Sequence, residues 1–275
     1  PAQPLPATLD QSSDPEWFPN PQFWINEAET NEVADHAWLI GFKDVTAPTN
    51  MRTMIATVFP QTGVGNTLPL ILPAIPKPPE TDDEAELQAH FDQVEKLLQE
   101  FSQSGPLLLA NLNSIILDFA ARQKVQGQHL NWFIVEQLPI VQRGEYLNRL
   151  FGIKSATDVI MPLVLELTYT AHDMAPFARD MGHVDENGEV LPPFPWDEDR
   201  RLRLRAKLDA IFFHLYGIFD PANREQSRDD ITYIYSTFPI VERQEMKAYG
   251  RYLSRDLAFT HEVPLKITMD AEPEV

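Results

Sequence analysis

Residues 106–141 read PLLLANLNSIILDFAARQKVQGQHLNWFIVEQLPIV and constrain the fold more than any other stretch. Leu108, Leu112, Ile115, Ile116 and Phe119 fall at i, i+4, i+7, i+8 and i+11. One continuous apolar face at that period predicts a helix that must be buried. The helix ends in Ala121-Arg122-Gln123-Lys124, with cations at the negative end of its dipole. Gly127 marks a polar turn. The following LNWFIVEQLPI is aromatic and β-branched, which predicts a strand stopped by Pro139. Between the two lie Arg122, Gln123, Lys124, Gln126, Gln128, His129 and Asn131. Seven long polar residues between two buried elements form either a recognition surface or an ordinary solvated connection.

With 275 residues the chain can bury a substantial core, as one large domain or two modest ones. No window resembles a transmembrane helix. The N-terminal PAQPLPATLDQSSDP has neither the positive nor the apolar region of a signal peptide. It lacks an initiator Met, so a piece of a longer protein is expected. Zero cysteines exclude disulfides and thiolate metal sites and fit a cytoplasmic address.

A net charge of −19 argues at first against nucleic acid, since a non-specific DNA binder is basic. The acid is segregated, however. Residues 1–42 hold seven acids and no Lys or Arg, residues 80–100 hold eight acids against Lys96, and residues 141–199 hold eleven acids against four bases. Residues 43–79 and 200–269 are net positive, and 101–140 are neutral. A sequence reader tethered to a larger basic protein is compatible with that distribution.

Residues 1–22 are expected to form an extended Pro-rich arm. Residues 37–46 (AWLIGFKDVT) predict a strand entering a turn at Ala47-Pro48-Thr49-Asn50, and residues 51–60 (MRTMIATVFP) its hairpin partner. Thr62-Gly63-Val64-Gly65-Asn66 predicts a turn, and LPLILP a third strand. Thr81 or Asp82 can cap a helix running to about Phe101, broken at Gly105-Pro106 before the central helix begins. Residues 156–181, 197–217, 228–236 and 240–257 are helical in period. The expected fold is therefore α+β: a mixed-sheet lobe at 23–142 and a mainly helical spacer lobe at 143–275.

Catalytic signatures are missing. There is no dinucleotide fingerprint, P-loop or nucleophile elbow, and the seven histidines form no set with metal-ligand spacing. Asp230 with Glu245 and Lys247 can be arranged into a nuclease pattern, but a Glu and a Lys two apart are common on solvated helices. The basic run 200–207 is either a solvated face paired with Asp197, Glu198, Asp199 and Asp209 or a phosphate-tracking helix. Phe212, Phe213, Tyr216, Tyr233 and Tyr235 sit beside aliphatics at helical spacing, as core residues do.

Several pieces occur together in a recognisable order. They are Phe23-Trp24-Ile25-Asn26-Glu27-Ala28-Glu29, Trp38-Leu39-Ile40-Gly41-Phe42-Lys43-Asp44-Val45-Thr46, Arg52-Thr53-Met54-Ile55-Ala56 and Gly63-Val64-Gly65-Asn66. Leu109-Ala110-Asn111-Leu112-Asn113-Ser114, Ala121-Arg122-Gln123-Lys124, Leu130-Asn131-Trp132-Phe133 and Gln137-Leu138-Pro139 follow. Leu208-Asp209-Ala210, Leu215-Tyr216-Gly217, Thr237-Phe238-Pro239-Ile240-Val241 and Tyr249-Gly250-Arg251-Tyr252 complete the series. In that order they resemble the C-terminal target-recognition region of fused N6-adenine DNA methyltransferases. These are single-chain restriction-modification enzymes and related phage-defence methylases of the BREX type.

The resemblance implies a DNA-recognition module that is not catalytic by itself. Its partners would be double-stranded DNA and an upstream methyltransferase domain of the parent chain, with no membrane. Neither the glycine-rich S-adenosylmethionine site nor the Asn-Pro-Pro-aromatic tetrad of such enzymes occurs here, so that cofactor is expected only in the parent protein. No metal is expected, and whether the parent also cleaves DNA stays open. Base-edge reading asks for Arg or Lys towards guanine and Asn or Gln towards adenine. Candidates near predicted turns are Lys43, Thr49, Asn50, Arg52, Asn66, Arg122, Lys124, Gln126, Gln128 and Asn131. Arg122 is either a phosphate or guanine contact or a helix-end charge paired with Asp118. The alternative function is an acidic protein-interaction or structural module docking a partner subunit.

Overall fold

Strand β1 (Trp38–Phe42) is buried along its whole length, as a strand without a polar face must be. It lies between β2 (Ala56–Pro60) and β3 (Leu70–Ile71) in a three-stranded sheet of order β2-β1-β3. Both pairings are antiparallel, with Ile40 opposite Val58 on one side and Ile71 on the other, so the expected mixed sheet is antiparallel throughout. The computed structural model describes residues 7–20, 24, 26, 36–262, 264 and 267. The aromatic segment expected at 23–29 lies largely outside them. A short helix α1 (Leu9–Ser13), closed by a Thr8–Gln11 capping box, occupies part of the arm expected to be extended.

The second strand is shorter than its alternating pattern predicts. Thr53 and Met54 give their amides to the Asp118 carboxylate, at 3.0 Å each, instead of extending the ladder. Helix α2 (Glu84–Leu112) starts at Asp83, whose side chain accepts the Ala85 amide. It runs through Gly105-Pro106 without the expected break. The missing proline donor is outweighed there by burial of Leu107, Leu109, Ala110 and Leu112. The break comes seven residues later, at Asn113-Ser114, where Ser114 caps α3 (Ile115–Lys124).

The expected strand after the polar turn is instead a single helical turn, α4 (Trp132–Val135). Ile134, Val135 and Leu138 are the buried residues there, a spacing of i, i+1 and i+4 that belongs to a helix. Burial of the β-branched pair overrides strand propensity.

Beyond residue 142 come α5 (Arg143–Asn148), a hairpin of β4 (Leu150–Phe151) and β5 (Lys154–Ser155), and α6 (Ala156–Thr168). Helices α7 (Ala175–Asp180), α8 (Glu198–Leu215), α9 (Arg224–Ser236), α10 (Pro239–Tyr249) and α11 (Leu253–Thr260) follow. The helix expected over 240–257 is split at Gly250, whose φ of +70° closes α10 with a left-handed cap. The architecture is α+β, as expected. One continuous core runs from Trp38 on β1 through Leu112, Leu117 and Ile160 to Phe212, Phe213 and Tyr235. The expected lobe boundary at 142/143 falls inside that core. Among the described residues no single helix is long and apolar enough to cross a membrane.

Candidate nucleic-acid interface

Past Phe42 the chain leaves the sheet edge-to-edge with three other segments. The Lys43 amide donates to the Ile55 carbonyl at 2.9 Å, and the Asp44 amide to the Thr67 carbonyl at 3.1 Å. The Thr46 amide donates to the Gln128 carbonyl at 3.0 Å, and Leu130 returns a bond to the Asp44 carbonyl at 2.8 Å. Segment 43–46 is thereby threaded between the turn at 62–68 and the loop at 125–131. His129 Nδ1 meets the Asp44 carboxylate at 2.9 Å across the same junction. These backbone bonds bring Lys43, Asn66, Gln126, Gln128 and Asn131 to one end of the sheet, all exposed. None of these five side chains is hydrogen-bonded to a described residue. Lys124, at the end of α3, reaches Gln137 Oε1 at 3.4 Å and joins the same face.

The remaining candidates lie elsewhere or do something else. Arg122, the leading candidate for a phosphate or guanine contact, is 9% exposed. Its Nη1 donates to the carbonyls of Pro48 (3.0 Å) and Thr237 (2.8 Å), and its Nη2 to those of Asn50 and Met51 (2.7 Å each). The guanidinium lies 4.0 Å from the centroid of the Phe238 ring, and Nε sits 3.8 Å from Asp118. With those donors engaged, Arg122 is a positioning residue: it braces the turn carrying Thr49 and Asn50. This corrects the expectation that it reads DNA, and the helix-end alternative is the one realised. Arg52 is corrected in the same way. Its Nε pairs with Asp118 and its Nη2 donates to the Asn113 carbonyl at 2.6 Å. Thr49 and Asn50 are exposed on the braced turn, with the Asn50 amide 3.4 Å from the Thr46 hydroxyl.

The residue that organises this cluster is Asp118, fully buried and shared by Arg52, Arg122 and the amides of Thr53 and Met54. Its signal in the sequence is an acid inside the apolar run IILDFAARQK. Asn113 extends the same design. Its side-chain amide accepts from the Ala56 amide at 3.1 Å and donates to the Ala56 carbonyl at 3.0 Å. The helix break thus acts as a one-residue strand partner for β2, and residues quoted above as part of a recognition motif are architectural.

Behind this cluster, between β2, α2, α8 and α10, lies a half-open cleft of about 620 Å³. Its walls are mainly apolar, and Arg201, Arg205, Asp209 and Glu245 contribute charge. Asp209 accepts the Ile115 amide at 2.7 Å and so caps α3 from α8; burial pushes its carboxyl up to about 6, against the pull of Arg52. Glu245 accepts the Ser254 amide at 2.7 Å, while Asp230 accepts from Gln226 on the exposed side of α9. Glu245 and Asp230, two of the three residues of the nuclease pattern, thus bond within the helical half. In the basic run, Arg200 forks onto Glu166 at 2.7 and 2.9 Å, and Arg201 stacks over Trp196 at 3.7 Å. Phe212, Phe213 and Tyr235 are fully buried, whereas Tyr233 is exposed. Among the described residues no group of three or more His, Asp or Glu side chains could hold a metal ion. No family model, curated protein or solved structure matches the chain.

Proposed function

We propose that the chain selects the DNA sequence at which a larger adenine-N6 methyltransferase acts. The observation that carries this reading is the gathering of Lys43, Asn66, Lys124, Gln126, Gln128 and Asn131 at one end of the sheet. Three segments far apart in sequence meet there, on a rigid antiparallel base, and present amide and ammonium groups to solvent. Two lysines suit phosphates, which position a protein on the duplex, and four amides suit base edges, which specify sequence. Extruding and methylating the adenine belongs to a methyltransferase domain of the parent protein, and so does S-adenosylmethionine. The family resemblance supports the same division of labour in a cytoplasmic restriction-modification or phage-defence enzyme.

The acidic balance of the chain favours a second reading, an interaction module that docks a partner subunit. With Arg52 and Arg122 turned into the fold, the face keeps Lys43 and Lys124 as its lysine charges among the described residues, against a net charge of −19. Equilibrating the chain with a randomised duplex library at two salt concentrations separates the two readings. Enrichment of one short motif is expected, together with a salt slope shallower by about 2 in a Lys43→Ala/Lys124→Ala variant. A pool without any motif, or a slope unmoved by that variant, would overturn DNA selection and favour the docking module.

A further inference from the structure

We infer that this face reads adenine–thymine pairs, its amides pairing with adenine and the Trp132–Phe133 step packing on thymine methyl groups. The inference rests on the DNA-selection reading and names the base class that reading leaves open. It begins from what the fold removes. Arg is the side chain whose fork matches the two acceptors of guanine, and the two arginines near this face are consumed internally. Arg52 is held by Asp118 and the Asn113 carbonyl, and Arg122 by four backbone carbonyls.

What remains is amide-rich. Asn66, Gln126, Gln128 and Asn131 are exposed, and none of their side-chain amides is hydrogen-bonded to a described residue. A carboxamide carries a donor and an acceptor side by side, the complement of the N6 donor and N7 acceptor of adenine. Lys43 and Lys124 can also reach guanine acceptors, but as point charges without a planar fork they suit phosphate oxygens better.

The second observation is apolar. Trp132 is 43% and Phe133 61% exposed, immediately after the last of the amides. Trp132 is held edge-on against Phe42, 5.2 Å between centroids, at the end of β1 where Lys43 emerges. Gln137 donates to the Phe133 carbonyl at 2.7 Å and accepts from Lys124, which fixes Phe133 beside the end of α3. Val45, bridged to His129, is exposed along the same loop. Scattered exposed apolar residues are ordinary. Here two follow one polar loop and a third lies on the segment bridged to it, and the major groove has a single apolar feature for them to meet, the thymine methyl group.

The experiment uses duplexes carrying the motif enriched from the random library, prepared with thymine and with uracil, which lacks only that methyl group. Affinities are measured by fluorescence anisotropy for the unaltered chain, Gln126→Ala/Gln128→Ala, Asn131→Ala and Phe133→Ala, with circular dichroism confirming that each is folded. Uracil substitution is expected to weaken the unaltered chain about tenfold and to weaken Phe133→Ala clearly less. The amide variants are expected to lose discrimination at A·T positions while retaining binding to unrelated duplex. A motif whose determinants are all G·C, or a uracil effect undiminished in Phe133→Ala, would overturn the base assignment while sparing DNA selection. No detectable binding of any duplex overturns both.

Discussion

Asp118 has no contact with solvent, yet it accepts from two backbone amides and faces two guanidinium groups. A carboxylate is tolerated without solvent only where such partners replace water. Removing it strands Arg52, Arg122, Thr53 and Met54 together. Asp118→Ala is therefore expected to lower stability by about 3–5 kcal/mol in urea unfolding. Arg122→Lys should also destabilise measurably, since a single ammonium cannot reach the Pro48, Asn50, Met51 and Thr237 carbonyls at once. Lys124→Ala, at an exposed position two residues on, should stay within about 0.5 kcal/mol. Equal tolerance of all three substitutions would refute the bracing role. Local charge spacing makes an Asp118–Arg122 pair visible in the sequence. The other partners, Arg52 and the turn at 48–51, lie some seventy residues away and are supplied only by folding.

At the level of elements, α2 shows how close packing overrules local preference. Gly105 and Pro106 both disfavour a helix interior, by about 1 and 3 kcal/mol relative to alanine, yet the helix continues through them. Gly105 is required for approach to the sheet: a Cβ there would lie 3.0 Å from the Trp38 ring and 3.2 Å from Ile40 Cδ1. Trp38 cannot yield easily, because its Nε1 donates to Asp180 at 2.8 Å and its ring stacks on Phe101 and meets Phe177 edge-on. Gly105→Ala should therefore destabilise the protein, although the same change in an exposed helix would stabilise it. Thermal unfolding checks the sign, and a higher midpoint would show that the contact relaxes. Burial settles α4 as well, turning a strand-prone LNWFIVEQLPI into a helical turn against the core.

Across the whole molecule, α8 ties the two halves together through two titrating groups of opposite effect. Asp209 holds the start of α3, and burial raises its carboxyl from 3.8 to about 6. Its contribution is full below the unfolded value and is lost as pH rises through about 6. His214, bonded through Nε2 to the His261 carbonyl at 3.0 Å, is lowered by burial from 6.5 to about 4. Its contribution is full above the unfolded value and is lost as pH falls through about 4. Between pH 4 and 6 the two oppose each other. Asp209→Asn, which keeps an acceptor for Ile115, should make stability climb more steeply with pH than in the unaltered chain. His214→Gln should make it climb less, or fall. Unfolding midpoints measured from pH 4 to 6.5 test both, and parallel profiles for all three proteins would exclude the opposition.

Periodicity and charge in the sequence were sufficient for the α+β class, the three strands, the helical second half and the segregation of acid. These follow from spacing a few residues long, where side-chain direction is set by the backbone itself. Which polar residues face solvent was decided by the tertiary structure alone. Arg122 and Gln126 look equally available in a polar connection. One is drawn inside by carbonyls from residues 48–51 and 237, and the other is left at the surface. The break at Asn113 rather than Pro106, the helical turn at 132–135 and the single core across residue 142 share that origin. Each depends on partners distant along the chain, whose burial and hydrogen bonding outweigh any preference that a short stretch of sequence can express.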